Sequence, residues 1–357
     1  MAERLSPAEL ERILSLDEFE PLARERMDPV GFEYVAGGSW DEISLREAAE
    51  AWRTKRFIPR VLTDVRSADP AGSFLGRLAR IPVAMAPMAV QQLAHPDGEV
   101  EAVRGAAAAG IPYTLSTASS RSIEDVAAAA HDAERWFQLY LIDSLEYSRS
   151  LVERSTAAGY RAIILTVDLP VVGHRLRDLR SGFTFPPQPH VDQATQFRDS
   201  PYGAIAEQQE LGLNWDRVGE IRTWTHLPVI LKGILSPLDA ARAADEGVTG
   251  IIVSTHGARQ LDRVIAAAEA LAPIVDAVAG RTEVWVDGGI RSGLDILMAF
   301  ALGATGTLIG RPLYWALAAG GAAGIERAVA ILHEETRIAM SLLGVERPGL
   351  LERSFIA

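Results

Sequence analysis

The chain has 357 residues, 48% of them hydrophobic and 23% charged, which is ordinary globular composition with material for a large core. Its 35 Lys and Arg stand against 47 Asp and Glu, a net charge of −12 with no long basic run, which argues against a nucleic-acid partner. There is no cysteine, so a disulfide framework, a thiolate nucleophile and a Cys-ligated metal or iron–sulfur centre are excluded.

The opening MAERLSPAELERIL reads as the start of an amphipathic helix and lacks the apolar core of a signal peptide. No stretch approaches the roughly 20 apolar residues of a membrane span, so a cytoplasmic location without a membrane partner is expected. Residues 1–80 read as a mostly helical extension with Pro-punctuated extended pieces such as RFIPRVL. From about residue 81 short β-rich apolar runs alternate with Ala-rich segments of helical period. The runs are IPVAMAP (81–87), IPYTLST (111–117), WFQLY (136–140), AIILTVD (162–168), LPVILKG (227–233), GIIVST (250–255), EVWVDGG (283–289) and GTLIG (306–310). Near-continuous apolar strands imply burial on both faces, as parallel strands between helices require. Ser122 and Ser236 are suited to N-caps, and Gly110, Gly247 and Gly303 to helix stops.

Eight such units predict an α/β chain folded as a (β/α)8 TIM barrel, a single domain over residues 1–357 with no interdomain linker. An open doubly wound sheet would usually show a Gly-rich fingerprint after its first strand. The first run here ends in APMAVQ. Residues 184–215, between the fourth and fifth runs, form a long polar, Pro-rich insertion of the length expected of an active-site lid loop.

In a parallel barrel reactive groups gather at the C-terminal ends of the strands. The Gly-rich turns after the seventh and eighth runs, Asp287-Gly288-Gly289-Ile290-Arg291 and Gly310-Arg311, suit a phosphate, with backbone N–H groups and guanidinium charge converging on it. His256 follows the sixth run, and Asp168 ends the fourth. Together they can form a base and the group that orients it. Arg259, Arg175 and either Tyr34 or Tyr140 can hold a carboxylate. Lys232 ends the fifth run and suits either a Schiff base or an electrostatic role beside an anionic intermediate. The other histidines, at 95, 131, 174, 190, 226 and 333, show no paired ligand spacing, so no metal is expected. Residue chemistry alone thus yields a phosphate-bearing ligand, a histidine base and cationic groups for an anionic substrate.

At these positions the chain resembles the FMN-dependent 2-hydroxy acid oxidase and dehydrogenase family, from about residue 30 to 340. The resemblance rests on EYVAGGS (33–39), APMAVQQLAHPDGE (86–99), TLSTAS (114–119), FQLY (137–140), LTVDLPVVGHRLRD (165–178), LKG (231–233), HGARQLD (256–262), DGGIRSG (287–293) and IGRP (309–312). It implies an FMN cofactor and a set of roles. His256, paired with Asp168, takes a proton from the substrate. Arg259 holds the substrate carboxylate with Tyr34 and Arg175, and Tyr140 bonds near the substrate hydroxyl or carboxylate. Lys232 stabilises negative charge on the flavin. Pro87, Met88, Ala89, Ser116, Gln138, Thr166 and Ser254 surround the flavin ring. Gly289, Arg291, Gly310 and Arg311 hold its phosphate, and Asp287 and Gly288 also bind the cofactor.

Three features set this chain apart within the resemblance. Family members usually carry Asn where Thr255 precedes the histidine. Ala118 stands where glycolate-type members have Trp, and TLSTAS is similar to mandelate-type members. The smaller side chain opens space for an aromatic or bulky 2-hydroxy acid. The loop after the fourth run is polar, unlike the apolar anchor of membrane-bound members. Ala89 resembles the oxidases, so O2 is the expected electron acceptor and H2O2 the product; mandelate dehydrogenases carry Gly there. A dehydrogenase with another acceptor, an FMN barrel acting as an isomerase or on amines, and a non-catalytic FMN binder are the competing readings. The resemblance also implies a homo-oligomer, a tetramer or octamer.

Overall fold

The computed structural model describes residues 4–142, 144–191 and 212–357. Four helices open the chain: α1 (Pro7–Leu10), α2 (Phe19–Arg26), α3 (Pro29–Ala36) and α4 (Ile43–Arg53). Pro29 sits in the first turn of α3, and the Asp28 carboxylate accepts from Gly31 N–H and caps the helix. Helix α4 has no side-chain cap of its own. Asp262, more than 200 residues later, accepts from Ser44 N–H at 2.8 Å and Ile43 N–H at 3.2 Å.

Next comes a two-stranded antiparallel hairpin, β1 (Gly72–Phe74) and β2 (Arg77–Ala79), within the stretch expected to be mostly helical. All eight apolar runs then form parallel strands: β3 (Val83–Met85), β4 (Tyr113–Ser116), β5 (Arg135–Leu139), β6 (Ile163–Thr166), β7 (Val229–Ile234), β8 (Gly250–Val253), β9 (Glu283–Asp287) and β10 (Gly306–Ile309). They close in chain order, β10 pairing with β3. Most strands stop short of the predicted runs because the final residues leave the ladder as loops at the mouth.

Around them lie α5 (Glu99–Ala109), α6 (Ile123–Ala129), α7 (Leu145–Ala157), the short α8 (Leu176–Ser181), α9 (Trp215–Arg222), α10 (Pro237–Asp245), α11 (Ala267–Val278), α12 (Gly293–Ala301) and α13 (Arg311–Leu343). Ser122 and Ser236 cap α6 and α10 as expected, and Gly110, Gly247 and Gly303 all take positive φ at helix ends. Helix α13 is long and apolar enough to cross a membrane, contrary to the expectation that no stretch would be. About 67% of its most apolar window is buried in the protein, against α2 and α5 among others. It breaks at Gly321 (φ 62°), where the Glu101 carboxylate accepts from Ala322 N–H and caps the continuing helix.

The hairpin closes the floor of the barrel. Phe74 packs edge-on to Trp136 and Trp285, with centroids 5.3 and 5.1 Å away, and the two indoles stack at 5.0 Å. A Cβ on Gly306 would fall 2.3 Å from the Phe74 ring, so only glycine fits there. Both indole N–H groups are bonded, to Glu134 and Glu283.

The expected lid spans residues 184–215, of which 192–211 lie outside the described residues. Its root is fixed by His190, which is fully buried. Nε2 accepts from Ile123 N–H at 3.1 Å, and Nδ1 donates to the Thr117 carbonyl at 3.2 Å. Burial pulls this imidazole down to about 4, so it is neutral near pH 7.

Candidate active site

The loops after β6 and β8 bring the base pair together. Residues 256, 257 and 258 all have left-handed backbone, with φ of 56°, 62° and 60°. Only Gly257 takes this conformation freely, so His256 and Ala258 store strain of roughly 1–3 kcal/mol each, a common mark of a functional turn. The turn is held by Ser254, whose Oγ accepts from His256 N–H at 3.0 Å and from Lys232 Nζ at 2.9 Å.

His256 Nδ1 lies 2.8 Å from Asp168 Oδ1, and Tyr140 Oη lies 3.2 Å from Nε2. Burial pushes the Asp168 carboxyl up, but the His256 charge, their hydrogen bond and Lys232 outweigh it and hold the group below the usual carboxylate value. An ionised carboxylate only accepts, so Nδ1 carries the proton and Nε2 presents a lone pair, to which Tyr140 donates. Burial lowers the His256 pKa, Asp168 opposes this and Lys232 adds to it, and the result lies below the ordinary histidine value. The ring is therefore neutral at pH 7 and able to take a proton. Tyr140 is raised well above the phenol value, chiefly by burial and then by Asp168, and stays a donor.

Cationic groups ring this pair. Arg259 Nη1 donates to the carbonyls of Tyr34 at 2.5 Å and Gly37 at 2.9 Å, and its guanidinium lies 4.6 Å over the Tyr34 ring. Phe183 stacks on that ring at 4.0 Å. Arg259 Nη2 is buried without a hydrogen bond among the described residues, 3.9 Å from Asp178. Lys232 Nζ is 3.3 Å from Asp287 Oδ2. Arg175 donates through Nε to the Arg259 carbonyl at 3.2 Å.

The two arginines of the expected phosphate site differ. Arg291 bonds its neighbour's carbonyl, lies 3.7 Å from Asp17 and lines the cleft. Arg311 also lines it, but its guanidinium donates to the carbonyls of Val35, Gly37 and Gly257, tying α3 to the β8 loop. Burial, with Arg259 and Arg291 nearby, lowers it to about 9. The N–H groups that open α12 are occupied: Asp295 accepts from Arg291 and Ser292, and Glu335 from Gly293. These three N–H groups are therefore not open to an anion, which leaves the glycine turns.

One cleft of about 1140 Å³ joins these parts, including space open to solvent. Tyr34, Pro87, Met88, Ala89, Ser116, Ala118, Tyr140, Arg175, Lys232, His256, Arg259, Asp287, Gly288, Gly289 and Gly310 line it alongside the two phosphate-site arginines. Gln138, Thr166, Ser254 and Asp168 are not among the lining residues, though Gln138, Ser254 and Asp168 bond Ser116, Lys232 and His256, which are. Thr255 is buried, and its hydroxyl, without a partner among the described residues, faces Gly288 rather than the cleft. Leu169, Val35, Leu45 and Ala48 line the cleft without having been singled out. So do Gln260 and Asp262 act unannounced: each bonds a distant loop, and their only signal was membership of HGARQLD. Outside the cleft, His95, Asp97 and Glu101 bring possible ligand atoms within 4.8 Å of one another, a grouping that spacing did not reveal. Asp97 N–H donates to His95 Nδ1, and Glu101 is engaged by Ala322.

Comparison with known proteins gives the family. Residues 23–357 match the FMN-dependent dehydrogenase family. The chain belongs to that family. A 4-hydroxymandelate oxidase from Amycolatopsis orientalis is 44% identical over 348 residues, covering 95% of this chain and 97% of the relative. An L-lactate oxidase from Nostoc sp. is 41% identical over 356 residues, covering 96% and 98%. The crystal structure of mandelate oxidase with (S)-4-hydroxymandelic acid superposes with a TM-score of 0.90 at 43% identity, covering 97% and 98%.

The FMN-dependent dehydrogenase site fits its cofactor on the residues present. Gln138 Nε2 and Asp287 Oδ1 are buried without hydrogen-bond partners among the described residues, and such groups are costly unless a ligand completes them. Gln138 and Lys232 suit the polar edges of the flavin ring, Asp287 a ribityl hydroxyl, and Arg291 with the glycine turns the phosphate.

Proposed function

We propose that this protein oxidises an (S)-2-hydroxy acid with an aromatic or bulky side chain to the 2-keto acid, using O2 as electron acceptor and releasing H2O2. The observation that carries the reading is the neutral His256, its Nε2 lone pair turned to Tyr140 inside a cleft that also holds Arg259 and Arg175. A carboxylate-bearing alcohol needs both a base and a carboxylate clamp. FMN, when bound, accepts the two electrons that leave the substrate. Arg259 and Arg175 hold the substrate carboxylate, which fixes the hydroxyl-bearing carbon near the base. Tyr140 exchanges its bond to His256 for one to the substrate. His256 Nε2 takes a proton, and Asp168 stabilises the imidazolium that results. The buried Lys232 supplies positive charge where negative charge develops. Ala118 leaves lateral space that an indole would fill, which supports an aromatic substrate, as does likeness to mandelate-type relatives.

Anaerobic titration of the purified flavoprotein with (S)-mandelate, 4-hydroxymandelate, L-lactate and glycolate tests this. Bleaching of the oxidised-flavin band by an aromatic acid but not by glycolate is expected. Bleaching mainly by glycolate would discard the aromatic pocket. A yellow protein that no acid bleaches would discard the chemistry. In air, H2O2 should form in step with substrate loss, whereas slow reoxidation with fast dye reduction would make the enzyme a dehydrogenase.

A further inference from the structure

The β6 and β8 loops carry opposite halves of the site, Asp168 and Arg175 on one and His256 and Arg259 on the other. A single buried amide, Gln260, spans them. Its Nε2 donates to the carbonyls of Asp168 at 3.1 Å and Val171 at 2.9 Å. Its Oε1 accepts from Arg175 Nη2 at 3.2 Å and Gly173 N–H at 3.3 Å. An amide has two N–H donors and two carbonyl lone pairs, so these four bonds use its full capacity. The partners also fix which end is which, two carbonyls facing the nitrogen and two donors facing the oxygen. Closeness of the loops is built in: a Cβ on Gly173 would fall 2.4 Å from the Arg259 carbonyl oxygen. Gln260 itself is not among the residues that line the cleft, and all four of its hydrogen bonds go to protein groups.

We propose that Gln260 is a positioning residue that sets both the base pair and the carboxylate clamp, through Asp168 on its nitrogen side and Arg175 on its oxygen side. The inference rests on the function proposed above, and it divides into two separable halves. Glu at 260 keeps the acceptor for Arg175 and Gly173 but loses both donors to the Asp168 and Val171 carbonyls. Met removes both sets. Misplacing a catalytic group by about 1 Å costs on the order of 100-fold, which sets the scale for the kinetic half.

The test compares the FMN-loaded wild type with Q260E and Q260M by two readings. One is the anaerobic rate of flavin reduction at saturating substrate. The other is the dissociation constant of phenylacetate, a carboxylate with no hydroxyl to oxidise, read from the flavin absorbance change. Q260E should reduce about 10–100-fold more slowly with a phenylacetate affinity within about threefold of wild type. Q260M should lose on both readings. A merely structural role would lower thermal stability in both variants and leave both readings unchanged well below the melting temperature, and that result overturns the proposal. Equal losses on both readings in Q260E would overturn the division into halves. If no 2-hydroxy acid reduces even the wild type, the proposed function fails, and the phenylacetate comparison alone decides whether Gln260 holds Arg175: equal affinity in wild type and Q260M overturns it.

Discussion

At the floor of the barrel Phe74, Trp136 and Trp285 fill the interior with rings, and both indole N–H groups are bonded. At the mouth Gln138, Asp287 and Arg259 keep buried polar atoms without hydrogen-bond partners among the described residues, and His256 and Ala258 hold strained backbone. The same eight strands run between the two. Rings seal the floor, while the mouth keeps buried polar atoms that a ligand can complete. Strain and unmet donors are not confined to the mouth: Leu75 in the hairpin has φ 51°, and Arg135 Nε at the start of β5 is buried without a hydrogen bond among the described residues.

Substitutions at the two ends should therefore have opposite signatures. The largest expected effect is at the mouth. His256→Ala should slow flavin reduction by at least about 10²–10⁴-fold while FMN stays bound and the melting curve barely moves. Retained activity, measured by stopped-flow, would remove the histidine from its role. Phe74→Ala should do the reverse, costing about 3–5 kcal/mol of stability with the reduction rate intact in the folded fraction. A variant as stable as wild type in urea would show that the floor does not anchor the barrel.

His190 lies between these extremes, at the root of the insertion. Its native pKa of about 4 is depressed below the ordinary 6.5, so the unfolded chain binds a proton first as pH falls. Its contribution is complete above the unfolded pKa and is lost as pH falls toward 4, by roughly 3 kcal/mol in all. His190→Gln should flatten the urea stability slope between about pH 7 and 4; an unchanged slope would assign that loss to other groups. A smaller, purely kinetic effect is expected at Arg259. Arg259→Lys keeps the charge but cannot both bond two carbonyls and present a free edge, so KM should rise more than kcat falls. Unchanged constants would exclude direct contact with substrate. The subtlest test is the acid limb of the reduction rate. Catalysis needs neutral His256, whose pKa is lowered, so the limb should lie below the ordinary histidine value. Asp168→Asn removes the chief opposing influence and should move the limb lower still. A limb above 6.5 would contradict the buried, neutral base.

The barrel was legible because each strand is buried on both faces and announces itself as an apolar run, and because strand ends locate the chemistry. Asp168, His256, Lys232 and the glycine turns could be placed by that rule alone. The hairpin β1–β2 was not legible: its strands have three residues each and one face open to solvent, so neither period nor composition marks them. Nor were the contacts of Gln260, Asp262 and Arg311. Each bonds backbone groups of a segment distant in sequence, and backbone carbonyls and N–H groups leave no trace in residue identity. For Arg311 a guanidinium after a glycine turn suggested a phosphate ligand; its three bonds to carbonyls, which use three of its five N–H donors, could not be foreseen.

That last feature bears on how the chain is made. Arg311 grips the carbonyls of Val35 and Gly37, across 276 and 274 residues, and Asp262 caps α4 across 218. Synthesis delivers α3 and α4 first, yet the side chains that seat them leave the ribosome only when most of the strands already exist. Chains released before residue 311 should expose those early helices and carry no yellow colour. Nascent chains of graded length, probed by protease, should show protection of residues 29–53 arriving late and together with flavin uptake.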